Sequence, residues 1–302
     1  MISVRDAHKL YGNVRALGGV SFDVERGSVF GVVGPDGAGK TTLLRMIVGV
    51  LSPSSGTVEA RVGGDGGDSR RRIGYVAGKF SLYEDLSILE NLTLFSRLYG
   101  MDAGRSSSRT RELLELTGLL PFGDRLAGRL SGGMKQKLAI AAAVLHEPEL
   151  LVLDEPGTGV DPVSRRDIWS VLYRLNRGGV TIVVSTPYMD EAELCTRLVF
   201  LHEGRVLESG TPEEICGRFP HRILRVRTDA PKARRRLADF PSLSVSSFGR
   251  SVRVVVDGSD EDADARLREH LARAGITADV DAVPPTLEDV FVLAAESGRD
   301  VA

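Results

Sequence analysis

Eight consecutive residues, GPDGAGKT from Gly34 to Thr41, carry the most specific chemistry in the chain. They match GxxxxGK[ST] at every fixed position, a loop in which glycines let successive backbone amides turn inward onto phosphate oxygens. Gly34, Gly37 and Gly39 permit that curl, and Pro35, Asp36 and Ala38 complete the cradle. Lys40 is placed to reach the β- and γ-phosphates of a nucleotide, and the Thr41 hydroxyl to ligate Mg²⁺. Thr42 then opens a helix whose N-terminus adds partial positive charge beside the phosphates. A second cluster, LLVLDE at residues 150–155, is an apolar run ending in two adjacent carboxylates. Asp154 is placed to hold the Mg²⁺ shell and Glu155 to orient or deprotonate an attacking water. An acidic pair after a strand is commonplace by itself. Downstream of a phosphate loop it completes a half-site for nucleotide hydrolysis.

Those groups need a rigid frame, and the flanking patterns supply one. Residues 29–33 (VFGVV) are a short apolar run bounded by Gly27 and Gly34, the mark of a buried strand, and residues 42–50 turn helical. Residues 150–153 (LLVL) and 181–185 (TIVVS) read as further buried strands, the second preceded by a helical stretch over 164–176. Strand, helix, strand at this spacing predicts a parallel sheet covered by helices. Residues 86–99 and 109–117 have the apolar spacing of amphipathic helices, within an inserted helical segment at about residues 80–145. GGDGGD at 63–68 reads as a flexible loop. The texture changes after residue 218. Residues 221–302 show alternation over 223–227, a helix over 232–239, and strands over 243–247 and 252–256 turning at Gly249 and Arg250. An amphipathic helix over 260–274 and a strand over 278–283 follow. That order, βαββαβ, predicts a small split-βαβ sandwich.

Length and composition fit this division. With 302 residues, 42% hydrophobic and 26% charged, the chain suits one large or two modest globular domains. Its net charge of −2 gives no electrostatic reason to expect nucleic acid as a partner. The longest clear apolar run, residues 138–145, falls far short of the roughly 18 residues of a membrane-spanning helix. The charged start MISVRDAHKLYG lacks the apolar core of a secretion signal. Cys195 and Cys216 have neither metal-ligand spacing nor a disulfide pattern, so a reduced cytoplasm is the expected setting.

A third motif, LSGGMKQK at residues 130–137, stands just before the helix that leads into the acidic pair. With phosphate loop, this segment and acidic strand in that order and spacing, residues 2 to about 218 resemble the nucleotide-binding subunit of an ATP-binding cassette (ABC) transporter. The resemblance implies an α/β fold: a P-loop ATPase core with a helical insert over residues 1–218, plus the small α/β accessory domain at 221–302. ATP and Mg²⁺ are the implied cofactors. Tyr11 matches the aromatic that stacks on adenine. Ser131, Gly132 and Gly133 match the signature that contacts ATP held by the opposite subunit; a hydroxyl and glycine amides at a helix N-terminus suit a γ-phosphate. Asp161, in Gly159-Val160-Asp161, matches the loop that crosses the dimer interface. Three stretches, FSLYEDLSILENL, STPYMDEAELC and PPTLEDVFV, look like the drug- and polyketide-exporter branch, whose membrane partners have six helices.

Two positions depart from the family pattern. Gly78 stands where the family has a Gln that helps ligate Mg²⁺ and position water, and Pro187 where it has a His that contacts the γ-phosphate. Neither residue has a side-chain donor, acceptor or proton-transfer group. The expected function is the ATP-binding subunit of an exporter, coupling ATP binding and hydrolysis to a separate membrane permease, with slow turnover at its own site. The expected working unit is a dimer of cassettes, this chain being a candidate for the degenerate half of a heterodimer. Residues 82–99 are where the resemblance places permease contact, which would hold the protein at the inner face of the cell membrane. A soluble cassette ATPase acting on ribosomes or DNA, and a regulatory cassette with little hydrolysis, are the alternative expectations.

Overall fold

The computed structural model describes residues 1–63, 69–228, 233–248 and 251–297. Packing divides the chain into two units, residues 1–209 and 210–302. The division falls ahead of the boundary expected near residue 218, because the short helix over 212–217 packs with the last helix of the second unit.

The first unit runs β1 (Ile2–Tyr11), β2 (Val14–Val24), β3 (Val29–Val33), α1 (Lys40–Ile47), β4 (Ser55–Ala60), β5 (Ile73–Val76), α2 (Ile88–Leu98), α3 (Ala103–Thr117) and α4 (Gly132–Val144). It continues β6 (Leu150–Asp154), α5 (Pro162–Arg177), β7 (Thr181–Thr186), α6 (Met189–Ala192), β8 (Arg197–His202) and β9 (Arg205–Gly210). Six strands form one sheet in the order β5-β6-β7-β3-β8-β9. Neighbours from β5 through β8 pair in parallel, as the strand-helix-strand spacing predicts. All five residues of β3 and of β6 are buried, since helices or the second sheet cover both faces. Alternate residues feed opposite faces of the sheet. Leu151, Leu153, Ile182 and Val184 enter a core with α2–α5, whereas Leu150, Val152 and Val183 join a core with α1, β1 and β2.

That second core includes an antiparallel sheet, β2-β1-β4, which the sequence patterns do not reveal. Register shifts along the β1–β2 ladder break the period-two alternation that marks a strand, and Asp6 takes a left-handed φ of 45° there. Helix starts also differ from expectation, and side-chain caps fix those of α2 and α3. α1 begins at Lys40 rather than Thr42. Ser87 and Glu90 form a capping box that starts α2 at Ile88, and Asp102 caps α3 at Ala103, well before residue 109. Most of the loop expected at 63–68 lies outside the described residues.

The second unit comprises α7 (Pro212–Gly217), β10 (Arg222–Arg227), α8 (Ala233–Leu237), β11 (Ser244–Phe248), β12 (Ser251–Val256), α9 (Ala263–Arg273), β13 (Asp279–Val283) and α10 (Leu287–Ser297). From β10 to β13 this is the expected βαββαβ order, folded as an antiparallel sheet β11-β12-β10-β13. Leu224, Val226, Val254, Leu267 and Leu271 form its core. The turn expected at Gly249 and Arg250 lies outside the described residues. α10 begins within the PPTLEDVFV stretch, at Leu287, where the sequence suggested no element. Asp289 anchors it: its carboxylate accepts the amide and hydroxyl of Thr286 and pairs with buried Arg253 at 2.7 Å.

Candidate functional site

β3 delivers the chain into the phosphate loop, and the loop's close packing dictates its glycines. The Gly34 amide donates to the Thr186 carbonyl at the end of β7, and a Cβ at Gly34 would stand 2.0 Å from the Leu201 carbonyl oxygen. Gly39 has φ 102°, and a Cβ there would meet the Ala16 carbonyl oxygen at 2.5 Å. Pro35, Asp36 and Gly37 form the exposed crest, Ala38 is buried, and Thr42 lies in the first turn of α1.

Lys40 is buried, with an ammonium that donates to the carbonyls of Gly34 at 2.7 Å and Pro35 at 2.9 Å. Glu155 Oε1 lies 3.0 Å from the same nitrogen. The Thr41 hydroxyl donates to Asp154 Oδ2 at 2.8 Å, and the Ser185 hydroxyl donates to Oδ1 at 2.7 Å. Asp154 and Ser185 are paired across the parallel β6–β7 ladder, so register alone sets that second contact. The Glu155 amide is anchored on Ser185, and Thr158 donates to Glu155 Oε2 at 3.2 Å. Burial, followed by the charge of Asp154, pushes the Tyr75 phenol up on the neighbouring strand. Lys40, Thr41, Asp154 and Glu155 are thus gathered at one edge of the sheet.

The two atypical positions belong to the same edge. A Cβ at Gly78 would lie 3.2 Å from the Asp154 carbonyl oxygen and 3.8 Å from Asp154 Oδ2, so a longer side chain there would start beside the carboxylate. Pro187 is the first residue after β7, half-buried. The remaining expected residues lie elsewhere on the unit. Tyr11 ends β1, 47% exposed, with the Lys9 ammonium 5.4 Å over its ring. Ser131 caps α4 by accepting the Met134 amide, and a Cβ at Gly133 would stand 2.5 Å from Ser164 Cβ. A Cβ at Gly132 would reach within 3.5 Å of the Gly159 carbonyl oxygen. Asp161 caps α5, accepting the amides of Val163 and Ser164. Among the described residues, no hydrogen bond joins Tyr11 or Ser131 to the phosphate loop.

Sequence reasoning missed Ser185, whose only signal is a hydroxyl at the end of an otherwise apolar run. A hard-oxygen pair of hydroxyl and carboxylate, Thr41 with Asp154, fits Mg²⁺ rather than a softer metal. A buried ammonium within the phosphate loop, at the start of a helix, fits the polyphosphate of a nucleotide. No helix among the described residues is long and apolar enough to cross a membrane.

A phosphate loop at a parallel strand end, with an acidic pair on a strand of the same sheet, defines a P-loop nucleotide hydrolase. Residues 17–158 match the family model described as "ABC transporter". The chain is 39% identical over 278 residues to the probable multidrug ABC transporter ATP-binding protein YbhF of Escherichia coli, covering 89% of this chain and 47% of that protein. It therefore spans about half the length of that relative. To the daunorubicin resistance ATP-binding protein DrrA3 of Streptomyces coeruleorubidus it is 38% identical over 299 residues, 96% of this chain and 94% of the relative. A dimeric ATP-binding cassette solved in a post-hydrolysis state with ADP and Pi superposes with TM-score 0.63 at 29% identity, over 70% of this chain and 98% of that one. The chain belongs to the ABC transporter ATP-binding family, whose cassettes bind ATP and are ATPases.

Proposed function

We propose that the chain is the ATP-binding subunit of an ABC exporter, powering a separate membrane permease that removes small drug-like molecules. The observation that carries this reading is the gathering of Lys40, Thr41, Asp154 and Glu155 at one sheet edge in a chain that also holds LSGGMKQK. The names of two relatives, multidrug and daunorubicin resistance, support the exporter branch and a drug-like cargo. Nothing in those names favours ribosomes or DNA. Bound Mg²⁺ would neutralise phosphate charge. Thr41 and Asp154 would hold it, the loop amides and Lys40 would hold the phosphates, and Glu155 would take a proton from water. Tyr11 would stack on the adenine.

In this reading Ser131, Gly132 and Gly133 serve ATP held by a second cassette, with Asp161 at the shared boundary. The dimeric state of the post-hydrolysis neighbour supports that arrangement. Residues 82–99 would meet the permease at the inner face of the membrane. Residues 221–302 would form an accessory domain that stabilises the dimer or regulates coupling.

Gly78 and Pro187 leave the chain's own site without two side chains the chemistry uses, so its partner would be a cassette carrying both. Loss of such a positioned group costs on the order of 10²-fold in rate. Steady-state ATPase activity of the Gly78→Gln, Pro187→His double variant should therefore exceed that of the unmodified chain at least about tenfold. Turnover at roughly 1–10 per second by the unmodified chain alone, unchanged in the variant, would remove the degenerate site from the proposal.

A further inference from the structure

Glu191 is a buried carboxylate that the chemistry above does not use. It lies in the single turn α6 and is 1% exposed. Its Oε2 accepts the Thr186 hydroxyl at 2.5 Å, and the oxygen of that hydroxyl accepts the Tyr188 amide at 3.1 Å. The Thr186 hydroxyl therefore links the far end of the turn through Pro187 to Glu191. Its Oε1 presses on a different turn: a Cβ built at Gly157 would stand 2.0 Å from it. Arg165 closes the far side, with Nε 3.6 Å from Oε1 and the guanidinium 4.3 Å over the Tyr188 ring. Burial pushes the Glu191 carboxyl above the ordinary carboxylate range.

What this cluster can do follows from Glu155. That residue has φ 51°, a left-handed conformation that a non-glycine residue keeps only where its surroundings over-determine it. On its N-terminal side the amide is fixed to Ser185; on its C-terminal side Gly157 rests on Glu191. We propose that Glu191 is a positioning residue for ATP hydrolysis, holding the Glu155–Gly157 turn and the Pro187 turn at a fixed separation across β6 and β7. Pro187 offers no side-chain contact to a nucleotide, so the alignment of this edge depends on such internal ties. Among its described contacts Glu191 reaches the phosphate loop only through Thr186, whose carbonyl accepts the Gly34 amide, and does not touch Lys40, so the reaction step should respond more than ATP affinity.

The inference rests on the chain being an ATPase, and the test separates the two. Single-turnover hydrolysis with protein in excess reads slow rates as well as fast ones, and ATP affinity is measured alongside. Glu191→Ala should lower the single-turnover rate at least about tenfold while ATP affinity stays within about threefold. Glu191→Gln keeps the shape and the acceptor for Thr186, and should stay within about threefold of wild type in both. A second probe leaves the carboxylate in place. Gly157→Ala, at a position outside the left-handed region, drives a methyl against Oε1 and should slow the step with the same unchanged affinity. The double variant Gly157→Ala, Glu191→Ala should be no slower than the slower single variant, because both act through one contact. Rates unchanged in Glu191→Ala and Gly157→Ala, or a rate loss in Glu191→Ala matched by an equal loss of affinity, overturn the proposal alone. A wild-type rate no greater than that of Lys40→Ala overturns it together with the ATPase reading beneath it.

Discussion

Lys40 has three acceptors within 3.0 Å, two carbonyls of its own loop and the Glu155 carboxylate, although it is 4% exposed. All three of its donors are engaged, so an incoming phosphate must displace one of these acceptors to take the ammonium's charge. Lys40→Ala should lower ATP affinity by about 10- to 100-fold, as expected for a charged contact of about 1.5–3 kcal/mol. Calorimetry with wild type and variant checks this, and equal affinities would unseat the phosphate-loop assignment. Lys40, Thr41, Asp154 and Glu155 were legible in the sequence because spacing along a loop or at the end of a strand marks them. Ser185 and Glu191 were not. Ser185 reaches Asp154 only through the pairing of β6 with β7, and Glu191 meets Gly157 only once α6 folds back beside the loop after β6. Contacts made by register and packing leave no trace in local pattern.

The buried parallel strands were the easiest elements to read, since β3, β6 and β7 are short apolar runs covered on both faces. The starts of α2 and α3 were harder, because capping side chains set them. α5 shows how much one cap can carry: Asp161 starts the helix beside the loop expected to face a second cassette, and it accepts two backbone amides. Hydrogen bonds from Ser164 and Val163 hold the Asp161 carboxyl below the ordinary aspartate range. The folded state therefore binds that proton less readily than the unfolded chain does. The stability it contributes is complete above the ordinary aspartate pKa and is lost as pH falls through the lowered folded value. Asp161→Ala should melt at a lower temperature than wild type near neutral pH, and Asp161→Asn close to wild type, because Asn also caps. In thermal melts from about pH 7 to about pH 2 the gap between wild type and Asp161→Ala should narrow below about pH 4. A gap that widens in acid would show that the carboxylate is not the cap.

Residues 1–209 contain the whole set of groups gathered around Lys40, and residues 210–302 have a separate core built on β10, β12 and α9. A chain ending after Gly210, which keeps β9 complete, should bind ATP within about threefold of the full-length protein. Affinity reduced more than about tenfold would make the second unit part of the nucleotide site. The sheet order β5-β6-β7-β3 bears on what the first unit can do with the nucleotide it holds. The loop to Gly78, the acidic pair, the Pro187 turn and the phosphate loop leave from four adjacent strands, laced side by side by parallel hydrogen bonds. Such a plate does not stretch one strand at a time. Chemistry at its edge therefore works against an anvil.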